Sequence, residues 1–339
     1  MLNFQDLPDE LVLNILSYLE TTDLFSCGQI SKKIRRISHD GTLWVTANFE
    51  KKIVKSEFLE LILSKGCKIL SISNSIILGH LSSNIKSQLS VLNFSQPECE
   101  CKVDNCDCDE NIGVLEELIS SCCLLQNLVL EGVFLTPKMA VGICKNSKTL
   151  QTLNLNSSYL DDLSAVLSDD NPDGTLAYSY LQEIIKCCQE LKEVDLANVN
   201  EAEGLVDEDF AFLAKNISPN VEKLNLSSSY VEDDPVKILL RRCNKIKALT
   251  LEPNGITDDS FTNIRECLNA LEELSLGTPG FDPKTFHYTH YGPISFTGFL
   301  ELKAIPSLRI LNLHYNKDEG KEIQNLRRHL PHLMVKGAL

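Results

Sequence analysis

Apolar positions along this 339-residue chain recur in one hexapeptide, L-x-x-L-x-L. The clearest copies begin at Leu125 (LQNLVL), Leu150 (LQTLNL), Leu191 (LKEVDL), Val221 (VEKLNL), Ile246 (IKALTL), Leu271 (LEELSL) and Leu308 (LRILNL). Weaker copies start at Cys67, Leu89 and Leu330. Once insertions near 95–112, 156–178 and 277–297 are set aside, the period is about 22–26 residues. Alternation within each copy predicts a short strand with its leucines pointing inward. Between copies the spacing becomes helical. Ile256, Phe261, Ile264 and Leu268 follow an N-cap at Thr257 or Asp258, and Phe210, Leu213 and Ile217 form a second such set.

One strand and one helix cannot bury their own leucines, so successive units must stack, with strands in a parallel sheet and helices outside it. That is the pattern of leucine-rich repeats. The expected fold over 49–339 is an α/β solenoid, a right-handed horseshoe of about ten parallel strands. Cys122, Cys188 and Cys243 each stand three residues before a hexapeptide, where a small buried thiol suits a helix-to-strand corner. The last strand is expected to need a partner at its free edge, or to fray.

Residues 1–48 follow another pattern and are expected to be all-α. In LPDELVLNILSYL, Leu7-Pro8 precedes Asp9 and Glu10, acids suited to a first helical turn. Leu11, Ile15 and Leu19 recur every four residues, and Leu16 widens the stripe. Thr21-Thr22-Asp23 is expected to cap one further helix running through LFSCGQISKKIRRISHD, before Leu43-Trp44 closes the unit. So short a segment with so broad an apolar face calls for a partner.

Composition narrows the function. An apolar share of 43% and a charged share of 23% are those of a globular chain. No run reaches the ~18–20 apolar residues of a membrane span, and the acids near the start argue against a signal peptide. Thirteen cysteines without a secretory signal imply thiols in the nucleus and/or cytoplasm. A net charge of −15 argues against general nucleic-acid binding; residues 1–55 are neutral, so the excess lies in the repeats. Walker, nucleophile-elbow and zincin motifs are absent, so neither catalysis nor a cofactor is expected. His287-x-x-His290 reads as a surface pair. Lys32-Lys33-Ile34-Arg35-Arg36 reads as a short nuclear signal or a solvated helix face.

The series Leu7, Pro8, Glu10, Leu11, Ile15, Leu16, Leu19, Leu24 and Leu43-Trp44 resembles an F-box. It departs from the family at Ile34, which keeps bulk where a tryptophan is usual but loses the ring. An F-box ahead of LQNLVLEG, LNLSSSY, LLRRCNKIKALTL and LPHLMV is similar to F-box/leucine-rich-repeat proteins of the S-phase-kinase-associated type. The resemblance implies a non-catalytic substrate receptor of an SCF-type cullin–RING ubiquitin ligase with a cell-cycle role. Its F-box would dock the Skp adaptor through Leu7, Pro8, Leu11, Ile15, Leu16, Leu19, Leu24 and Trp44, with a cullin–RING scaffold behind it. Its repeats would hold a protein marked for ubiquitination and proteasomal degradation; no nucleic acid or membrane is implied. The alternative is a leucine-rich-repeat scaffold without ubiquitin transfer.

Alternation sends Glu193, Asp195, Asn225, Thr250, Glu252, Glu273, Asn312 and His314 to the concave face, where substrate would bind. Tyr288 and Tyr291, in the aromatic third insertion, are further contact candidates. Glu131, Glu193, Asp195, Glu252 and Glu273 make the middle of the arc acidic, suited to a basic partner segment or simply to solubility. Cys99, Cys101, Cys106 and Cys108 offer four thiolates for zinc. Their spacing is not the usual C-x2-C and six carboxylates crowd one lysine there, so an acidic loop without metal is preferred. Asp169 to Gly174 opens like a calcium loop, but Tyr180 stands where a bidentate glutamate is needed.

Overall fold

The computed structural model describes residues 7–82, 85–96, 111–159, 180–199, 205, 207–229, 231–251, 255–276, 295–313 and 322–337. They fall into two compact units, Met1–Glu131 with Pro137–Leu150, and Gly132–Thr136 with Gln151–Leu339. Among the described residues no helix is long and apolar enough to cross a membrane.

The first unit opens with three short helices, α1 (Asp9–Leu16), α2 (Thr21–Cys27) and α3 (Lys32–Ser38), and a 3-10 turn, Gly41–Trp44. Where one helix was expected after Asp23, there are two. The chain turns at Gly28–Ile30, and the Ser31 hydroxyl accepts from the Ile34 N–H to start α3. Val12, Leu16, Leu24, Ile34, Ile37 and Trp44 form the core of this bundle, and the Trp44 indole donates to the Ser38 carbonyl at 2.7 Å. Ile34, in the place of the family's tryptophan, is therefore a core residue.

Strand and helix then alternate: β1 (Thr46–Asn48), β2 (Ile53–Lys55), α4 (Ser56–Ser64), β3 (Ile69–Ser71), β4 (Ile76–Leu78), β5 (Val91–Ser95), α5 (Ile112–Ser121), β6 (Asn127–Glu131) and α6 (Pro137–Lys145). β1, β3, β5 and β6 pair in parallel, and β2 and β4 form a separate two-stranded ladder. Two buried asparagines hold neighbouring repeats together. Asn111 donates to the Ser75 carbonyl at 2.9 Å and accepts from the Ile77 N–H at 3.1 Å. Asn146 donates to the Cys122 and Gly142 carbonyls and accepts from the Leu125 N–H.

The second unit continues the repeat with β7 (Thr152–Asn154), α7 (Tyr180–Cys187), β8 (Glu193–Asp195), α8 (Asp207–Asn216), β9 (Lys223–Leu226), α9 (Asp233–Arg242) and β10 (Ala248–Leu251). There follow α10 (Asp258–Cys267), β11 (Glu273–Leu276), α11 (Phe296–Glu301), β12 (Ile310–Leu313), α12 (Glu322–His329) and β13 (Met334–Gly337). β7 to β13 pair in parallel and in sequence order. The leucines of each hexapeptide are buried, as alternation requires. The four paired strands of the first unit and the seven of the second exceed the expected ten by one, because β1 lies inside the stretch assigned to the helical region. Cys122, Cys188 and Cys243 are buried at their corners, and burial pushes their thiols up to about 11, 12 and 11, so thiolate is scarce at neutral pH.

Two features recur that the hexapeptide does not announce. The fifth residue after the first of β1, β3, β6, β7, β8 and β9 takes a positive φ: Lys51, Asn74, Gly132, Ser157, Asn198 and Ser228, between 52° and 69°. A left-handed residue turns the chain out of each strand, and only Gly132 among them is free of the Cβ penalty. On the helix side, an acid at the start of one helix holds the N-cap residue of the next. Asp233 accepts from Thr257, which caps α10, and Asp258 accepts from Ser295, which caps α11.

Burial opposes ionisation of Asp233, but hydrogen bonds from Ser260 and Thr257 outweigh it and hold the carboxyl below its ordinary range. A lowered folded pKa gives stability that is complete above the unfolded value, about 4, and lost as pH falls through the folded one. Asp233→Asn is therefore expected to flatten the loss of stability below about pH 4, read by urea unfolding at a series of pH values. An unchanged acid limb would contradict this.

Candidate adaptor-facing stripe and strand rows

Helix α1 is apolar on two sides. Val12 and Leu16 face the bundle core, whereas Leu11 and Ile15 are 50% and 42% exposed. Tyr18 (82% exposed) and Leu19 extend the outward stripe at helical spacing, and Phe25 and Ile30 are exposed too. A solvent-facing apolar stripe on a helix already packed by its opposite face is a candidate partner surface. Three of the residues assigned to adaptor contact do not belong to it. Leu16 (2%), Leu24 (2%) and Trp44 (4%) are core residues that hold the bundle together. Leu7 is half-buried and its carbonyl accepts from the Lys33 ammonium at 2.5 Å; Pro8 is exposed, its carbonyl taking the first N–H groups of α1. Tyr18, Phe25 and Ile30 lay outside the four-residue period by which the stripe was read.

The basic run of α3 is largely engaged within the bundle. Lys33 and Arg36 pair with Asp9, and the Arg35 guanidinium donates to the Gly28 carbonyl at 2.9 Å.

In the second unit the strand register gathers the expected concave residues into two rows. Glu193, Lys223, Ala248, Glu273, Ile310 and Met334 are aligned, as are Asp195, Asn225, Thr250, Ser275, Asn312 and Lys336. Both rows are half-buried to exposed, apart from buried Ser275. Two of the candidates have structural work. The side chains of Asp195 and Asn225 accept from the Ala197 and Ser227 N–H groups, as Asn154 does from Asn156, closing the turn after each strand. Asn312 bridges Glu273 and Ser275 at 2.6 and 2.8 Å.

The described rows carry Glu193, Asp195 and Glu273 against Lys223 and Lys336. Lys223 pairs with Glu193 at 2.8 Å and Lys247 with Glu222 at 2.6 Å. Just ahead of the strands, Lys192, Glu222, Lys247, Glu272 and Arg309 succeed one another in sequence-adjacent repeats with alternating sign. Glu252, His314, Tyr288, Tyr291, the four clustered cysteines, His287, His290 and Asp169 to Gly174 lie outside the described residues. Among the described residues no group of three or more His, Cys, Asp or Glu could hold a metal ion.

Residues 4–50, which contain the helical bundle, match the F-box-like family. Over 101 residues the chain is 30% identical to the ubiquitin ligase complex F-box protein UFO1 of Saccharomyces cerevisiae, a match spanning 28% of this chain and 15% of that protein. Solved structures similar to it include the leucine-rich repeat-containing protein LegL7 from Legionella pneumophila (TM-score 0.39, 14% identity, 84% of this chain and 82% of that one). Another is TLR13 in its complex with ssRNA13 (TM-score 0.42, 16% identity, 86% of this chain and 39% of that one).

Proposed function

We propose that this chain is a non-catalytic substrate receptor of an SCF-type ubiquitin ligase. The observation that carries the reading is the outward stripe through Leu11, Ile15 and Leu19, on a helix inside the segment that matches the F-box-like family. The match to a yeast ubiquitin ligase complex F-box protein supports it. In this role the stripe docks a Skp-type adaptor, a cullin–RING scaffold follows, and the strand rows of the second unit hold a protein target. The Glu193–Lys223 pair, Thr250 and the Glu273–Asn312 bridge offer that target mixed-sign, hydrogen-bonding contacts. The receptor contributes proximity: holding a lysine beside a charged conjugating enzyme can be worth ~7–11 kcal/mol. The motif order further supports the S-phase-kinase-associated type, a cell-cycle target and a nuclear or cytoplasmic setting.

Tagged protein purified from cells under proteasome inhibition is expected to carry the Skp adaptor and a cullin. If neither accompanies it, a leucine-rich scaffold without ubiquitin transfer takes the place of this reading.

A further inference from the structure

In the second unit, the ends of α7 to α12 and the loops leading into β8 to β13 stack into one rim. Gln189 donates to the Asn216 carbonyl at 2.9 Å, Ser218 to the Gln189 carbonyl at 2.8 Å, and Arg242 to the Ile217 carbonyl. Lys245 reaches Asn220 at 2.7 Å, and Ser307 the Asn269 carbonyl at 2.8 Å. Over 184–192, 213–222, 239–247, 264–272, 298–309 and 326–333 this rim carries twelve lysines and arginines against five glutamates, in a chain of net charge −15. The opposite helix ends are acidic, with Asp233, Asp234, Asp258 and Asp259 in the first turns of α9 and α10.

Cations near helix C-termini complement the backbone dipole, and one per helix suffices for that. The rim after α9 has four, Arg241, Arg242, Lys245 and Lys247, with no acid among them. Arg242 caps the end of α8 and Lys247 pairs with Glu222, which leaves Arg241 and Lys245 presenting exposed charge. We propose that this rim, centred on Arg241 and Lys245 with Lys215 and Lys192 beside it, is a docking surface for an acidic peptide segment of a protein partner. Nucleic acid fits less well. The rest of the chain repels a long polyanion, and the described rim segments expose no Phe, Tyr or Trp ring on which bases could stack. The rim is distinct from the strand rows, and the inference does not depend on ubiquitin transfer.

The test is fluorescence anisotropy with the full chain and labelled octaglutamate in about 0.1 M salt. Octaglutamate is expected to bind, octaserine not. Raising salt to about 0.4 M should weaken binding severalfold. R241E/K245E is expected to bind at least about 10-fold more weakly, and R241Q/K245Q to fall between it and the wild type. Asp234→Asn, at the opposite helix end, should bind as the wild type does, and thermal melts should coincide throughout. No binding by the wild type, equal binding by R241E/K245E, or tighter binding of a labelled dT octamer than of octaglutamate would each overturn the proposal.

Discussion

Phe261→Ala is expected to cost about 3–5 kcal/mol, the range for truncating a buried aromatic ring. Phe261 lies on α10 with no solvent exposure, and its ring meets Phe299 of α11 edge-on at 5.1 Å between centroids. The substitution forfeits the ring's transfer free energy and leaves a cavity between stacked repeats. Rigid neighbours on both sides leave little room for collapse. In a repeat array stability is close to a sum of unit and interface terms, so the deficit should concentrate in the second unit. Urea unfolding measures the total, and hydrogen exchange should show the α10 and α11 amides exchanging first. A loss below about 1 kcal/mol would mean the ring is not held as described.

Asn146→Leu is expected to destabilise the first unit by about 3 kcal/mol, although leucine is of similar size and more apolar. The amide of Asn146 is 1% exposed and makes three hydrogen bonds, to the Cys122 and Gly142 carbonyls and from the Leu125 N–H. These tie the loop after α6 to the loop ahead of β6. Leucine would leave a buried donor and two carbonyls deprived of partners, a desolvation cost that added apolar area does not offset. The same denaturation experiment checks it, and a neutral or stabilising result would contradict the described network.

The repeat fold was legible because every hexapeptide buries two alternate side chains, a demand that leaves a mark in sequence at β3 and at each strand from β5 to β13. β1 escaped notice because Thr46-Ala47-Asn48-Phe49 puts alanine and phenylalanine where leucines signal the others. The α2–α3 break was hidden for a related reason: Leu24, Ile34 and Ile37 keep an apolar face on both sides of the Gly28 turn. The left-handed strand exits are occupied by lysine, serine and asparagine as well as glycine, so no composition cue reveals them. In α1 no sequence signal separates outward from inward apolar residues, since Leu11, Ile15 and Leu16 all satisfy a helical stripe. Only the packing of α3 against α1 assigns Leu16 to the core. Likewise, alternation puts Glu193 and Lys223 on one face but carries no register, and their ion pair is visible only once β8 and β9 align.

The proposed function rests on the outward face of α1 as a docking surface for a Skp-type adaptor. Its most direct measure is the affinity of purified full-length chain for purified Skp adaptor, by calorimetric titration, for the wild type and for Leu11→Asp/Ile15→Asp. Both side chains are solvent-exposed, so the variant should keep the thermal melt of the wild type. Wild-type binding is expected, with a loss on the order of 100-fold or more in the variant, as for charge placed in an apolar hot spot. Equal affinity in the two proteins, or no binding by either, would contradict it.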